Sequence, residues 1–203
     1  MDVNKKPTWS EAIKIARNFS DHYSLTEPQQ KLIYKYASQL PKGSTIMELG
    51  VCNGKTSAIL AYLAKHNGYR ACGVDDFSLE WNPIAFKEKM ASLGLPFELI
   101  VGKTNDVPWK DQIDFLLIDA GHDPANIYRD TNRWIPFVKV GGYVAFHDYE
   151  DPYDVNSPHW GVRYFADKTT GGWDDIDFCD KLKIRRRPEK PADFVFNLGG
   201  KAW

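Results

Sequence analysis

Residues 48–57 read ELGVCNGKTS, a glycine-containing turn between a predicted strand and a predicted helix. The preceding STIMEL, at 44–49, is the short apolar run of a buried strand, and TSAILAYLAKH, at 56–66, has the pattern of a helix. The same alternation continues outward, and the further predicted strands lie at 70–75, 97–102, 113–119 and 141–148. This order is typical of an α/β protein with a mainly parallel, doubly wound sheet.

Both ends of the chain add to this alternating unit. Two helices are predicted ahead of the first strand, beginning at Ser10 and Thr26, and we expect them to cover the sheet. Two strand candidates come last, DFCDKLKI at 177–184 and ADFVFNLG at 192–199, and they would pair as a C-terminal antiparallel hairpin. We therefore expect a single domain over 1–203, with a helical cover at 1–41 and a core at 44–198.

Charge and cysteine content exclude several classes of protein. The formal net charge is -1, so no overall field draws the chain to nucleic acid or to a membrane surface. The run Arg185 to Arg187 is interpreted as a solvated turn, with a phosphate contact as the alternative. The three cysteines have no metal-ligand spacing, so reduced thiols are expected. Without a signal-peptide pattern or a run of about 20 apolar residues, we expect a cytoplasmic protein with no membrane partner.

The sequence Gly-Lys-Thr at 54–56 raises the question of a bound nucleotide phosphate. A phosphate loop has four residues between its glycines, whereas three residues separate Gly50 from Gly54. The dinucleotide fingerprint G-x-G-x-x-G also fails, because residue 52 is Cys. Glu48 at the mouth of the loop would repel a polyphosphate. Both phosphate interpretations are therefore disfavoured.

A ligand with a cationic centre, a carboxylate and a ribose fits this turn better. Gly50 permits close approach of the backbone to a ligand, and the helix N-terminus near Asn53 to Thr56 favours a carboxylate. Asp75 ends the second predicted strand, where an acidic residue can accept hydrogen bonds from both ribose hydroxyls. S-adenosylmethionine (SAM) has all three features.

Three stretches resemble class I SAM-dependent methyltransferases. IMELGVCNGKTS at 46–57 is similar to their first motif, and GVDDF at 73–77 is similar to their second. The stretch IDFLLIDAGHDPANIYRDTNRWIPFVKVGGYVAFHDY, at 113–149, resembles a small-molecule O-methyltransferase group with a D-x-x-H…GG…HD signature. The resemblance covers residues 44–149 and implies a Rossmann-like methyltransferase fold.

The resemblance also implies which residues contact SAM. The methionine part would lie at the turn, the ribose at the end of the second strand, the adenine after the third strand and the methyl group at the end of the fourth. The implied residues, in chain order, are Glu48, Gly50, Asn53, Thr56, Asp75, Asp76, Thr104 and Asp119. Lys103 departs from the group, whose members commonly carry an acidic residue there.

Methyl transfer to oxygen requires the acceptor to lose a proton, either to a base or with the help of a metal ion. Asp119, His147 and Asp148 end adjacent predicted strands and, by the resemblance, would hold Mg²⁺ or another divalent cation. The alternative is that Asp148 caps its loop and His147 is a packed histidine. His122 could be the general base, or it could orient Asp119 or cap the following helix.

Three functions remain open. The favoured one is O-methylation of a small hydroxylated molecule; the others are an RNA or protein methyltransferase and a SAM-binding module without catalysis. Two segments would cover the acceptor, the N-terminal helices with Trp9, Phe19 and Tyr23, and the loop YEDPYDVNSPHWG at 149–161. The acidic residues of that loop would repel a phosphate backbone, which disfavours nucleic acid as a partner. A homodimer remains possible.

Overall fold

The structure is a computed structural model that describes residues 6–20, 22, 24–79, 81–150 and 159–190. Tyr23, the strand predicted at 192–199 and most of the loop predicted to cover the acceptor lie outside these residues.

In the part of the chain that the structure describes, seven strands form one sheet: β1 Thr45–Leu49, β2 Arg70–Asp75, β3 Glu98–Val101, β4 Ile113–Ile118, β5 Val138–Phe146, β6 Asp174–Cys179 and β7 Leu182–Arg186. They lie in the order β3-β2-β1-β4-β5-β7-β6. Strands β1 to β5 run parallel to one another, and β7 runs antiparallel to both β5 and β6. The predicted doubly wound sheet with a C-terminal antiparallel hairpin is confirmed.

Six helices connect and flank the strands, and local signals explain where several begin. Thr26 and Gln29 form a reciprocal capping box, and the side chains of Asn82 and Asp123 each accept two backbone N–H bonds. The helices are α1 Trp9–Ala16, α2 Glu27–Ala37, α3 Lys55–Asn67, α4 Pro83–Ser92, α5 Pro124–Trp134 and α6 Trp160–Thr170.

Pro136 ends the helical segment before β5. It lies in a 3₁₀ turn, Ile135–Phe137, which follows α5 directly, and β5 then begins at Val138. Because proline has no backbone N–H to donate within a helix, its presence here favours the end of the helical segment. The strand predicted from Gly141 is longer than expected and starts three residues earlier.

The C-terminal hairpin uses residues other than those predicted. The stretch 177–184 is not one strand, because a turn at Asp180 and Lys181 divides it between β6 and β7. Both turn residues have positive φ, 46° and 68°, the conformation of a two-residue hairpin turn. Neither residue is glycine, so the usual sequence signal of such a turn is missing.

Alternate residues of β1 face opposite layers of helices. Met47 and Leu49 join a buried cluster that includes Trp134 of α5, whereas Ile46 packs in a second cluster with Ile33 and Leu60 of α2 and α3. β1 lies between β2 and β4, so the strand order reverses at β1 and β4. In open α/β sheets ligands bind at the carboxyl ends of the strands at such a reversal. In the part of the chain that the structure describes, no helix has the length and apolar character to cross a membrane.

Candidate active site

Gly50 brings the turn after β1 against the end of β4. Its φ is +87°, and a Cβ atom added to it would clash with the carbonyl oxygen of Asp119. The backbone N–H of Asp119 in turn donates to Leu49 O at 2.9 Å. Only glycine satisfies both requirements; the predicted approach of this backbone to a ligand stays a prediction.

Glu48 lies beneath this turn, not at its mouth. Its side chain is buried, and the hydroxyl of Ser57 on α3 donates to it at 2.5 Å. Burial raises the pKa of Glu48 well above its usual range, and the charges of Asp119 and Asp75 act in the same direction, against the Ser57 hydrogen bond. Since Asp119 and Asp75 bring negative charge close to Glu48, the site favours a ligand with positive charge.

Asp75 joins the loops after β1 and β2. One carboxylate oxygen accepts from the backbone N–H of Cys52 and the other from that of Phe77, each at 2.7 Å. Each oxygen retains a further lone pair for a ligand hydroxyl. The neighbouring Asp76 is exposed and accepts from Ser78 N at 3.0 Å, and this hydrogen bonding lowers the pKa of Asp76.

Asn53 attaches the N-terminal segment to the turn. Its side-chain amide donates to Ser24 Oγ at 3.0 Å and to the carbonyl oxygen of His22 at 2.5 Å, while its Oδ1 accepts from Lys55 N at 3.0 Å. Thr56 is buried in the first turn of α3. The predicted cover therefore contacts the turn directly, through a residue that sequence analysis assigned only to the ligand.

Thr104 lies on the loop after β3 and is held from α5. Its hydroxyl donates to Asp130 Oδ1 at 2.5 Å, and the indole N–H of Trp134 donates to its carbonyl oxygen at 3.0 Å. Asp130 is fully buried, and burial raises its pKa to about 6. Asp130 is not among the residues predicted from the sequence. Its helical spacing from Ile127 and Trp134, both buried on α5, was the available signal that it faces the interior.

Four side chains converge where β4 and β5 end. The ligand atoms of Asp119, His122, His147 and Asp148 all lie within 4.8 Å of one another. His147 Nδ1 is 2.8 Å from Asp119 Oδ1, and His122 Nε2 is 3.3 Å from Asp119 Oδ1 and 3.4 Å from Asp148 Oδ2. The structure therefore brings together the three predicted metal ligands and adds His122 to them.

The carboxylates and imidazoles of this cluster shift one another's pKa values. Burial would lower the pKa of His147 and of His122, but the carboxylates of Asp119 and Asp148 outweigh it and raise both values. Burial would likewise raise the pKa of Asp119, yet the two imidazoles hold it below its usual range. Despite its short distance to Asp119, the buried His147 Nδ1 makes no hydrogen bond of acceptable geometry. His122 Nε2 does form a hydrogen bond with Asp119 Oδ1, at 3.3 Å. The convergence of nitrogen and oxygen atoms, with His147 Nδ1 left without an aligned hydrogen bond, fits ligands around a cation.

A second group shares Asp148 with the first. Asp148, Glu150 and His159 have ligand atoms within 4.8 Å of one another, and His159 Nδ1 lies 3.3 Å from Glu150 Oε1. Lys181 in the β6–β7 turn pairs with the same Glu150 oxygen at 2.5 Å. His159, which belongs to the loop 149–161 that was predicted to cover an acceptor, therefore lies beside the cluster.

Arg185 makes ion pairs close to Tyr149, the residue that follows the cluster. Only 5% exposed, it lies in β7 and pairs with Asp167 of α6 at 2.6 Å and with Asp175 of β6 at 2.8 Å. Tyr149, the residue after Asp148, donates its hydroxyl to Asp167 at 2.6 Å. The interpretation of Arg185 to Arg187 as a solvated turn is therefore wrong, because the alternation of β7 directs Arg185 to the interior.

Comparison with known proteins identifies the family to which this chain belongs. The sequence profile of a family described as a methyltransferase domain matches residues 47–149, more than half of the chain. The chain belongs to this methyltransferase family. It is a SAM-dependent methyltransferase, and the matched residues contain the turn, Asp75 and the cluster at the ends of β4 and β5.

Solved structures share the fold of this methyltransferase. Rv0187 from MTB, solved with cofactor bound, is 15% identical with a TM-score of 0.63 and coverage of 94% of both chains. The O-methyltransferase TomG from Streptomyces achromogenes, solved with SAM, is 21% identical with a TM-score of 0.58 and coverage of 88% of both chains.

MycE, a methyltransferase of the mycinamycin biosynthetic pathway, was solved with Mg, SAH and mycinamycin VI. It is 14% identical with a TM-score of 0.60, over 91% of this chain and 56% of its own. Structures described as an N-methyltransferase and as an rRNA methylase match at similar TM-scores. At these identities the likeness shows the fold alone.

Proposed function

We propose that this methyltransferase transfers the methyl group of SAM to a hydroxyl of a small molecule, assisted by a divalent cation. The observation that carries the proposal is the cluster of Asp119, His122, His147 and Asp148 beside the Gly50 turn. Asp119 contacts the turn through its backbone and the cluster through its side chain, so cofactor and acceptor would meet at this residue.

SAM would extend along the carboxyl ends of β4, β1, β2 and β3. Gly50 would accommodate its methionine part, with Glu48, Asn53 and Thr56 around it, and the carboxyl groups of Glu48, Asp75 and Asp119 would favour its sulfonium charge. The ribose would bond to Asp75, with Asp76 beside it, and the adenine would lie against Thr104. Positioning the methyl group in line with the acceptor oxygen accounts for much of the expected rate.

Asp119, Asp148 and His147 are proposed to hold the cation. When bound, a divalent cation there would lower the pKa of an acceptor hydroxyl and orient it. Two carboxylates suit Mg²⁺, and the imidazole nitrogen makes Mn²⁺ or a similar ion a better match. His122 directs Nε2 at both carboxylates, so it either completes the ligand set or accepts the acceptor's proton.

An rRNA acceptor is the second candidate, because two of the structurally similar proteins are described as rRNA methylases. The negative charge near the cluster disfavours an rRNA acceptor. Glu150 lies at the cluster, the adjoining sequence carries Asp151 and Asp154, and the formal net charge is -1. A phosphate backbone would be repelled at the position where transfer occurs.

Metal dependence is tested on the purified methyltransferase with a panel of phenolic and sugar hydroxyls. We expect chelator treatment to abolish transfer and Mn²⁺ or Mg²⁺ to restore it. Asp148→Asn should lower the activity by at least about 100-fold, since even residues that only orient metal ligands matter by about 10- to 100-fold. Asp106→Asn, an exposed change of equal charge, should leave the rate unchanged. Full transfer in excess chelator, with Asp148→Asn unaffected, would contradict a metal role and leave His122 or His147 as a metal-free base.

A further inference from the structure

Asp130 presents an arrangement that the proposed chemistry does not use. It is fully buried on α5, its Oδ1 accepts the Thr104 hydroxyl, and its Oδ2 has no hydrogen-bond partner. The loop residue Asn105 likewise has a buried Oδ1 without a partner. A buried, unpaired acceptor costs free energy, so its presence calls for a functional explanation.

The hydroxyl of Thr104 has a single proton, and it is used in the hydrogen bond that Thr104 donates to Asp130. An ionised carboxylate only accepts hydrogen bonds, so Thr104 Oγ1 must donate to Asp130 and can only accept from any other group. The neighbouring unpaired oxygen of Asn105 is an acceptor as well. The Thr104 hydroxyl oxygen is therefore an acceptor toward any ligand group and favours one that donates.

The position of the loop does not depend on this hydroxyl. Trp134, one turn along α5 from Asp130, donates its indole N–H to the carbonyl oxygen of Thr104 at 3.0 Å. Backbone bonds from Asp106 N and Val107 N to Lys103 O close the loop on itself. Removing the Thr104 hydroxyl should therefore change the hydrogen-bonding character of the loop and leave its path in place.

We propose that Asp130 is a positioning residue that fixes Thr104 as a hydrogen-bond acceptor and so selects a 6-amino over a 6-oxo purine in the cofactor. The inference rests on the proposed placement of the cofactor. The 6-amino group of adenine donates hydrogen bonds, whereas a 6-oxo group accepts them and would meet the Thr104 oxygen with no proton between the two acceptors.

The ionisation of Asp130 gives this selection a pH dependence. Burial raises the pKa of Asp130 to about 6, with Arg129 lowering it and Asp123 raising it, while Lys103 and Asp106 on the loop are exposed. Above that pH the ionised carboxylate accepts the hydrogen bond from the Thr104 hydroxyl. Below it the protonated acid can itself donate to Thr104, which releases the hydroxyl proton for a 6-oxo group, so selection weakens as the pH falls.

The test is calorimetric binding of S-adenosylhomocysteine and of its 6-oxo analogue, S-inosylhomocysteine, from pH 5 to pH 8. At pH 8 we expect the amino form to bind at least 10-fold more tightly, the scale of one unpaired hydrogen bond. Thr104→Val should bring the two affinities within about 2-fold, and Thr104→Ser should restore the preference. Asp130→Asn can present either amide atom to the hydroxyl, so it should reduce the preference and abolish its pH dependence, while Asp106→Asn should behave as the parent protein.

The outcomes separate this inference from the proposed function. Tight binding of S-adenosylhomocysteine with equal binding of the analogue, or a preference that survives Thr104→Val, would overturn the role of Asp130 and leave the methyltransferase assignment in place. Binding of neither nucleoside would overturn the cofactor placement and the inference together. A preference that is unchanged between pH 5 and pH 8 would also overturn it.

Discussion

At the scale of single residues, the Asp75 carboxylate holds two loops in place and is also the proposed ribose ligand. Its two oxygens accept backbone N–H bonds from Cys52 and Phe77, both of which have positive φ although neither is glycine. Such left-handed conformations are costly for ordinary residues and persist when the surrounding structure holds them. Asp75 thus shapes the two loops that would surround the ribose, in addition to any hydrogen bond it makes to the ribose itself.

Asp75→Ala is expected to weaken binding of S-adenosylhomocysteine by about 1–3 kcal/mol, the cost of leaving buried partners unpaired. Isothermal calorimetry measures this directly, and Asp106→Ala, an exposed residue in the loop after β3, serves as the control. Unchanged affinity in Asp75→Ala would show that this carboxylate only shapes the loops. Tight binding of ATP with none of S-adenosylhomocysteine would instead refute the cofactor assignment.

At the scale of elements, the hairpin of β6 and β7 supports the reaction centre from outside it. The backbone N–H of Tyr149 donates to Lys181 O in the hairpin turn at 2.8 Å, and Arg185 of β7 joins α6 to β6 through Asp167 and Asp175. Asp148 precedes Tyr149 and has a φ of +53°. The hairpin therefore fixes the backbone on which a proposed metal ligand is carried.

Arg185→Met should destabilise the methyltransferase by about 3 kcal/mol, because it leaves Asp167 without its buried cationic partner. Arg186→Met, the exposed neighbour on the same strand, should cost less than about 1 kcal/mol. Urea unfolding followed by circular dichroism distinguishes the two. Equal effects of both substitutions would mean that the buried ion pairs do not hold the hairpin in place.

At the scale of the whole molecule, the sequence next to the cluster is acidic. Glu150 and His159 border the stretch 151–158, which lies outside the described residues and carries two aspartates and a tyrosine in its sequence. A neutral or weakly charged small molecule is compatible with such a sequence, whereas a polyanion is not. The N-terminal segment, which we propose as a second cover, is bound to the Gly50 turn through Asn53.

Replacement of residues 150–158 by a Gly-Ser linker of equal length should preserve binding of S-adenosylhomocysteine and abolish transfer to a phenolic or sugar hydroxyl. The proposed cofactor contacts all lie at or before Asp119 in the sequence, outside residues 150–158, so the two activities should separate. Calorimetry and a methyl-transfer assay on the same preparation measure both, with Glu150→Gln as the point control. Transfer to structured RNA that survives the replacement would overturn the small-molecule acceptor.

Several features could be predicted because local physics determines them. Apolar runs buried on both faces become central parallel strands, as β1, β2 and β4 do, and β3 lies at its predicted place in the sequence, at the edge of the sheet. Polar residues at the ends of those strands meet at one edge, as Asp119, His147 and Asp148 do. The residues of the hairpin could not be predicted in the same way, because its turn at Asp180 and Lys181 lacks the usual glycine.

By itself the sequence determined the alternating α/β order, the glycine turn and the residue types at the strand ends, since each depends on short-range sterics and apolar periodicity. Only the tertiary structure decided which side chains share an environment. It buried Glu48 against Ser57, added His122 to the cluster, turned Arg185 inward and joined Asp130 to Thr104 across 26 positions of the chain. Burial, and with it pKa and hydrogen-bond partners, depends on residues that are distant in sequence, so no local pattern contains it.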